Sequence, residues 1–156
     1  MPPEFFTCDV PASETVPGHR MACYRWGNAD AAETVLCVHG LTRNARDFDF
    51  LAQALSGRYR VIAPDMPGRG KSQYLADPAA YNYATYVADI VALAGTLGLA
   101  KVHWVGTSMG GIIGMMLSNA LPGFIRSLTL NDIGCLIPAA GLKRILSYAG
   151  VNTKFR

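Results

Sequence analysis

Apolar residues fall along this chain in runs of two kinds, and their alternation predicts the architecture. Thr34-Val35-Leu36-Cys37-Val38 is apolar almost throughout and partly β-branched, as in a strand buried on both faces. Tyr59 to Ala63, Val102 to Gly106 and Ile125 to Asn131 read the same way. Between these runs the apolar positions recur at three and four residues. Phe48, Leu51, Ala52 and Leu55 predict a helix over Ala45 to Ser56 with Gly57 as its stop. Tyr83, Tyr86, Val87, Ile90, Leu93, Ala94 and Leu97 predict another over Asn82 to Gly98, with Asn82 as N-cap. Gly110 to Ala120 is a third, and Gly141 to Gly150 begins a fourth. Ahead of all of them, residues 4–10 and 20–26 alternate around Pro11, Pro17 and Gly18, which suits an antiparallel pair.

Strands alternating with helices after an antiparallel opening imply right-handed crossovers, hence an α/β fold: a mostly parallel sheet with helices on both faces. Ligands in such sheets bind at the carboxyl ends of the strands. That directs attention to His39, Asp65, Ser108 and Asp132, each just after a predicted strand.

Composition narrows the function. At 156 residues and 51% apolar content the chain has room for a single packed core and not for two large domains. Charged residues make up 16% and the net charge is +3, with arginines and lysines scattered, so no nucleic-acid footprint is present. The four cysteines show no C-x-x-C pair, which argues against a disulfide framework or a zinc site, and Cys37 reads as a small core hydrophobe. Met66, Met109, Met115 and Met116 could line an apolar pocket, but methionine at helical spacing is more often core, and no role is assigned to them. No basic region followed by an apolar stretch opens the chain, and no run approaches the roughly 18 apolar residues of a membrane span. A cytoplasmic location is the expectation.

Chemistry concentrates at Gly106-Thr107-Ser108-Met109-Gly110, a G-x-S-x-G pattern between a predicted strand and a predicted helix. A serine in that turn stands at the top of the sheet, and the helix beginning beside it aims its N–H groups at developing negative charge. Two further segments agree in order: Val38-His39-Gly40-Leu41 after one strand, and Asp65-Met66-Pro67-Gly68-Arg69-Gly70-Lys71-Ser72 after the next. With them the chain resembles the α/β-hydrolase family over nearly its whole length. The resemblance implies that Ser108 is the nucleophile and that the backbone N–H groups of Leu41 and Met109 form an oxyanion hole. Gly40, Gly106 and Gly110 then give the turns their room. It implies attack on an ester, thioester or lactone carbonyl of a small molecule through an acyl-enzyme, with no cofactor and no metal. Serine, where epoxide hydrolases and haloalkane dehalogenases of the family carry aspartate, argues against both of those activities.

The chain departs from the family after the elbow. The family's order is serine, acid, histidine, yet His19, His39 and His103 all precede Ser108. His103 lies five residues upstream on the same strand, roughly 16 Å away at the wrong end. His39 belongs to the oxyanion loop. Asp132 is a candidate acid, its alternative role being to cap the turn into the next segment. Residues 1–134 therefore read as the front part of a hydrolase core and 135–156 as the start of a lid, truncated before the last strands and the histidine. The last strand is expected to expose an edge through which the chain self-associates. An inactive serine hydrolase half and a non-catalytic binding module both fit. A phosphate loop at Gly70-Lys71-Ser72 does not, because Asp65 stands where that motif needs glycine and Pro67 removes an N–H donor.

Overall fold

The computed structural model describes residues 2–136 and 139–148, excepting the side chains of 142 and 145–148. Six strands form one sheet: β1 (Glu4–Val10), β2 (His19–Trp26), β3 (Thr34–Val38), β4 (Arg60–Pro64), β5 (Val102–Thr107) and β6 (Ile125–Asn131). Their order is β1-β2-β4-β3-β5-β6. β1 and β2 pair antiparallel, β2 joins β4 antiparallel, and β4, β3, β5 and β6 run parallel. The expected antiparallel opening and parallel body are both present.

Alternation along the strands divides the core in two. Leu36, Val38, Ile62 and Trp104 face a cluster with Ile90 and Leu93 of α2 (Tyr83–Thr96) and Ile113 and Leu117 of α3 (Met109–Ala120). Val35, Cys37, Val61 and Ala63 face the other way, against Phe48 and against Ala52 of α1 (Asp49–Leu55). Helices therefore cover both faces. Met66 and Met109 are core, whereas Met116 is exposed. Cys37 is fully buried, and burial pushes its thiol up to about 12, which leaves it inert.

Two element ends differ from the pattern reading. The helix expected over 45–56 opens as a 3-10 turn, Ala45–Phe48, because the Asn44 side chain accepts from Arg46 N–H and the Asp65 carboxylate takes Ala45 N–H. It closes at Ser56, whose Oγ donates to the Gln53 carbonyl, and Gly57 never takes the left-handed conformation. Gly98 does take it, at φ +63°, and Asn82 caps α2 through Thr85 N–H. The last helix, α4, runs Ala139–Tyr148; residues 149 and 150 of the expected segment lie outside the described ones.

His19 meets Asp89 in the buried seam between β2 and α2, Nε2 to Oδ1 at 3.2 Å, while its Nδ1 faces the Pro17 carbonyl at 3.1 Å. The contact is poorly aligned, and Asp89 Oδ2 is buried without a hydrogen-bond partner among the described residues. Burial raises the Asp89 carboxyl from 3.8 to about 6, outweighing the pull of His19 in the other direction. A carboxyl that holds its proton more tightly when folded contributes stability that is lost as pH rises from about 4 through about 6. Asp89→Asn should flatten that part of the profile and melt higher than the parent at pH 7. Parallel melting curves from pH 4 to 7.5 would refute the assignment.

Candidate active site

β5 delivers the chain to Ser108 at φ 49° and ψ −110°, a left-handed residue that serves as N-cap of α3 with no side-chain capping bond. Its backbone is held from both sides: Ser108 N–H donates to the Asn131 carbonyl at 2.9 Å, and its own carbonyl accepts from Gly111 and Ile112 N–H. A serine in this region costs on the order of 1–3 kcal/mol and persists only where its surroundings impose it. The surroundings here are backbone. A Cβ on Gly106 would strike the Gly110 carbonyl, one on Gly110 would strike the Val38 carbonyl, and buried Trp104 ties in by donating from Nε1 to the Gly110 carbonyl at 3.0 Å. Ser108 Oγ makes no capping bond, and the residue is half-buried.

The loop after β3 lies beside it: the point where a Cβ on Gly40 would stand is 3.7 Å from Ser108 Cβ. His39 braces this loop from inside. Its Nε2 accepts from Met66 N–H at 2.9 Å, so Nδ1 carries the proton and donates to the Gly40 carbonyl at 2.7 Å. Burial holds the ring below the usual histidine range, hence neutral. Asp65, also buried, accepts Ala45 N–H at 2.7 Å and Lys71 N–H at 2.8 Å. Arg69 closes the frame by donating to the carbonyls of Leu41 and Pro67 and to the Tyr86 hydroxyl. Leu41 and Met109 thus sit on a fixed backbone, and among the described residues neither N–H has an acceptor.

A cavity of about 940 Å³ opens over this junction, lined by Gly40, Leu41, Ser108 and Asp132 among others. Of the four residues that follow strands, only Ser108 and Asp132 line it; His39 and Asp65 are scaffold. Asp132 is exposed and left-handed at φ 56°. The remaining histidines are elsewhere: His19 with Asp89, and His103 with Ser127 Oγ at 2.7 Å and Glu33 Oε1 at 3.3 Å. The His103 hydrogen bond, seconded by Arg126, holds the Glu33 carboxyl below its usual range at that far end of the sheet. No group of three metal-ligating side chains occurs among the described residues. No helix among them is long and apolar enough to cross a membrane.

Pattern reading missed the cavity's charged wall of Arg43, Arg46 and Asp47. The available signal was the four-residue spacing of Arg43 and Asp47, realised as an ion pair. It also missed Arg69 as a brace, whose partners Leu41 and Tyr86 are distant in sequence.

Comparison with known proteins identifies the fold. Residues 33–150 match the family model described as alpha/beta hydrolase fold. A 3-hydroxybutyrate-oligomer hydrolase of Cupriavidus necator is 44% identical over 97% of this chain and 50% of its own length. A serine hydrolase-like protein of Danio rerio is 32% identical over 79% of this chain and 37% of its own. The solved structure of an alpha/beta hydrolase from Novosphingobium aromaticivorans superposes with a TM-score of 0.84 at 39% identity, covering 94% of this chain and 50% of that one. The chain spans about half the length of such relatives or less.

Proposed function

The chain belongs to the α/β-hydrolase family, and from that premise we propose that it is the nucleophile-bearing half of a serine hydrolase acting on an ester of a small hydroxy acid. The observation that carries the reading is Ser108, left-handed at a strand-to-helix turn and open to a cavity. In the proposed reaction Ser108 Oγ bonds to the ester carbonyl carbon, and the oxygen, now negative, takes hydrogen bonds from Leu41 and Met109 N–H. The alkoxide departs with a proton, and water releases the acid from the acyl-enzyme. The name of the Cupriavidus necator relative supports a hydroxy-acid ester as the substrate class. Asp132, on the same wall as Ser108, is the proposed acid of a triad.

The serine proton needs a base, and His19, His39 and His103 are all engaged away from Ser108. This favours a second reading, a non-catalytic hydrolase fold that binds without turning over. An alkyl fluorophosphonate separates the two. Oxyanion donors should direct the reagent to Ser108 in preference to every other serine, slowly for want of a base, with no such adduct in Ser108→Ala. Peptide mapping that finds no modification, or modification spread over surface serines, would favour the binding module. Among the described residues β6 ends the sheet with an unpaired edge, which supports self-association as a further proposal.

A further inference from the structure

Resting on the reading of Ser108 as an ester-directed nucleophile, we propose that Arg43 determines specificity by binding a carboxylate carried on the substrate close to the scissile carbonyl. Arg43 shares the cavity wall with Ser108, and its Cγ lies 3.8 Å from the same point above Gly40 that lies 3.7 Å from Ser108 Cβ. The two side chains flank one stretch of backbone.

Four charged side chains line the cavity, Arg43, Arg46, Asp47 and Asp132, and they are not equivalent. Arg46 is spent: its Nε donates to both Asp49 oxygens, its Nη2 reaches Oδ2 as well, and its guanidinium lies over the Tyr24 ring. Arg43 donates through Nε alone, to Asp47 Oδ2 at 2.6 Å, and among the described residues its terminal nitrogens have no partner. That single bond fixes the plane of the guanidinium and leaves its Nη edge as a fork matched to a carboxylate. The side chain is 63% exposed, so the fork is open to a ligand.

The rest of the wall fits a short apolar body between two polar ends. Leu41, Phe50 and Leu51 line it, and Phe50 is 89% exposed with no packing role to account for it. A substrate with its ester carbonyl over Ser108, a few aliphatic carbons along these residues and a terminal carboxylate on Arg43 matches the serine, the apolar wall and the open guanidinium. A 3-acyloxy acid has this form. If Arg43 served only as a surface partner of Asp47, removing it would leave ligand selection unchanged.

The test uses the full chain, isotopically labelled, titrated with 3-acetoxybutyrate and with its methyl ester and followed by backbone amide shifts. The acid should bind about tenfold more tightly than the ester at low salt, with the preference shrinking as salt is added. Arg43→Gln should remove the preference and Arg43→Lys retain part of it. Equal affinity of the two compounds for the parent, an undiminished preference in Arg43→Gln, or no binding of either would each overturn the assignment. Its failure is distinct from that of the hydrolase reading: selective phosphonylation of Ser108 with equal binding of acid and ester sinks only Arg43's role. An Arg43-dependent preference without that labelling upholds Arg43 and sinks only the nucleophile.

Discussion

Hydrolysis of an activated ester by the 156-residue chain is expected to run about a millionfold below a complete serine hydrolase. The reason lies in where the imidazoles are. A serine hydroxyl attacks only as fast as its proton is taken, and a base must come within hydrogen-bond reach of Oγ. His39 is closest in the fold, but one ring nitrogen is committed as acceptor to Met66 N–H and the other as donor to the Gly40 carbonyl. Turning the ring outward would orphan both groups in the interior. His103 is bonded to Ser127 and Glu33, and His19 faces Asp89 and the Pro17 carbonyl, away from the cavity. On the proposed reading, only stabilisation by the Leu41 and Met109 N–H groups and binding survive. Because members of a triad act as a unit, Ser108→Ala should then lower the residual rate less than tenfold, roughly, although in a complete enzyme it would abolish turnover. Initial-rate assays of parent and variant decide the matter. An ordinary turnover number abolished by Ser108→Ala would mean that a base acts on Ser108 after all.

The sheet and its helices were legible from periodicity because strands buried on both faces and amphipathic helices obey different repeats. Leu36 and Cys37, adjacent in sequence, enter opposite cores. Ser108 was legible because a strained turn must be written in glycine on both sides. Legibility failed where partners are distant in sequence. Nothing near His39 announces that Met66 N–H will fix its tautomer, or near Asp65 that Ala45 and Lys71 will share its carboxylate. The cavity wall escaped for a related reason: Arg43 and Arg46 look alike in the sequence, and only geometry shows that one guanidinium is consumed and the other is not. Pairings made by loops carry no period, so no window of residues contains them.

Gly110→Ala is expected to cost about 4 kcal/mol, a large share of a domain stability on the order of 5–15 kcal/mol. Adding one methyl group inside a helix ordinarily stabilises, by about 0.5–1 kcal/mol, since alanine loses less backbone entropy than glycine. At Gly95 in α2 an added methyl would meet nothing within 4 Å, and Gly95→Ala should show that gain. At Gly110 the same methyl falls on the Val38 carbonyl and close to that of His39, main-chain atoms of β3 and of the loop that follows it. A side chain could rotate away; a carbonyl fixed in the central strand cannot. Relief requires α3 to lift from the sheet, which breaks the Trp104 bond to the Gly110 carbonyl and loosens the packing of Ile113 and Leu117. It also releases Ser108 from φ 49°, because the elbow keeps that dihedral only while strand and helix meet at van der Waals distance. Stability and site geometry therefore fail together in Gly110→Ala: chemical denaturation should show the midpoint fall, and selective phosphonylation of Ser108 should vanish. A Gly110→Ala chain that melts with Gly95→Ala would mean that the elbow is not held by this contact.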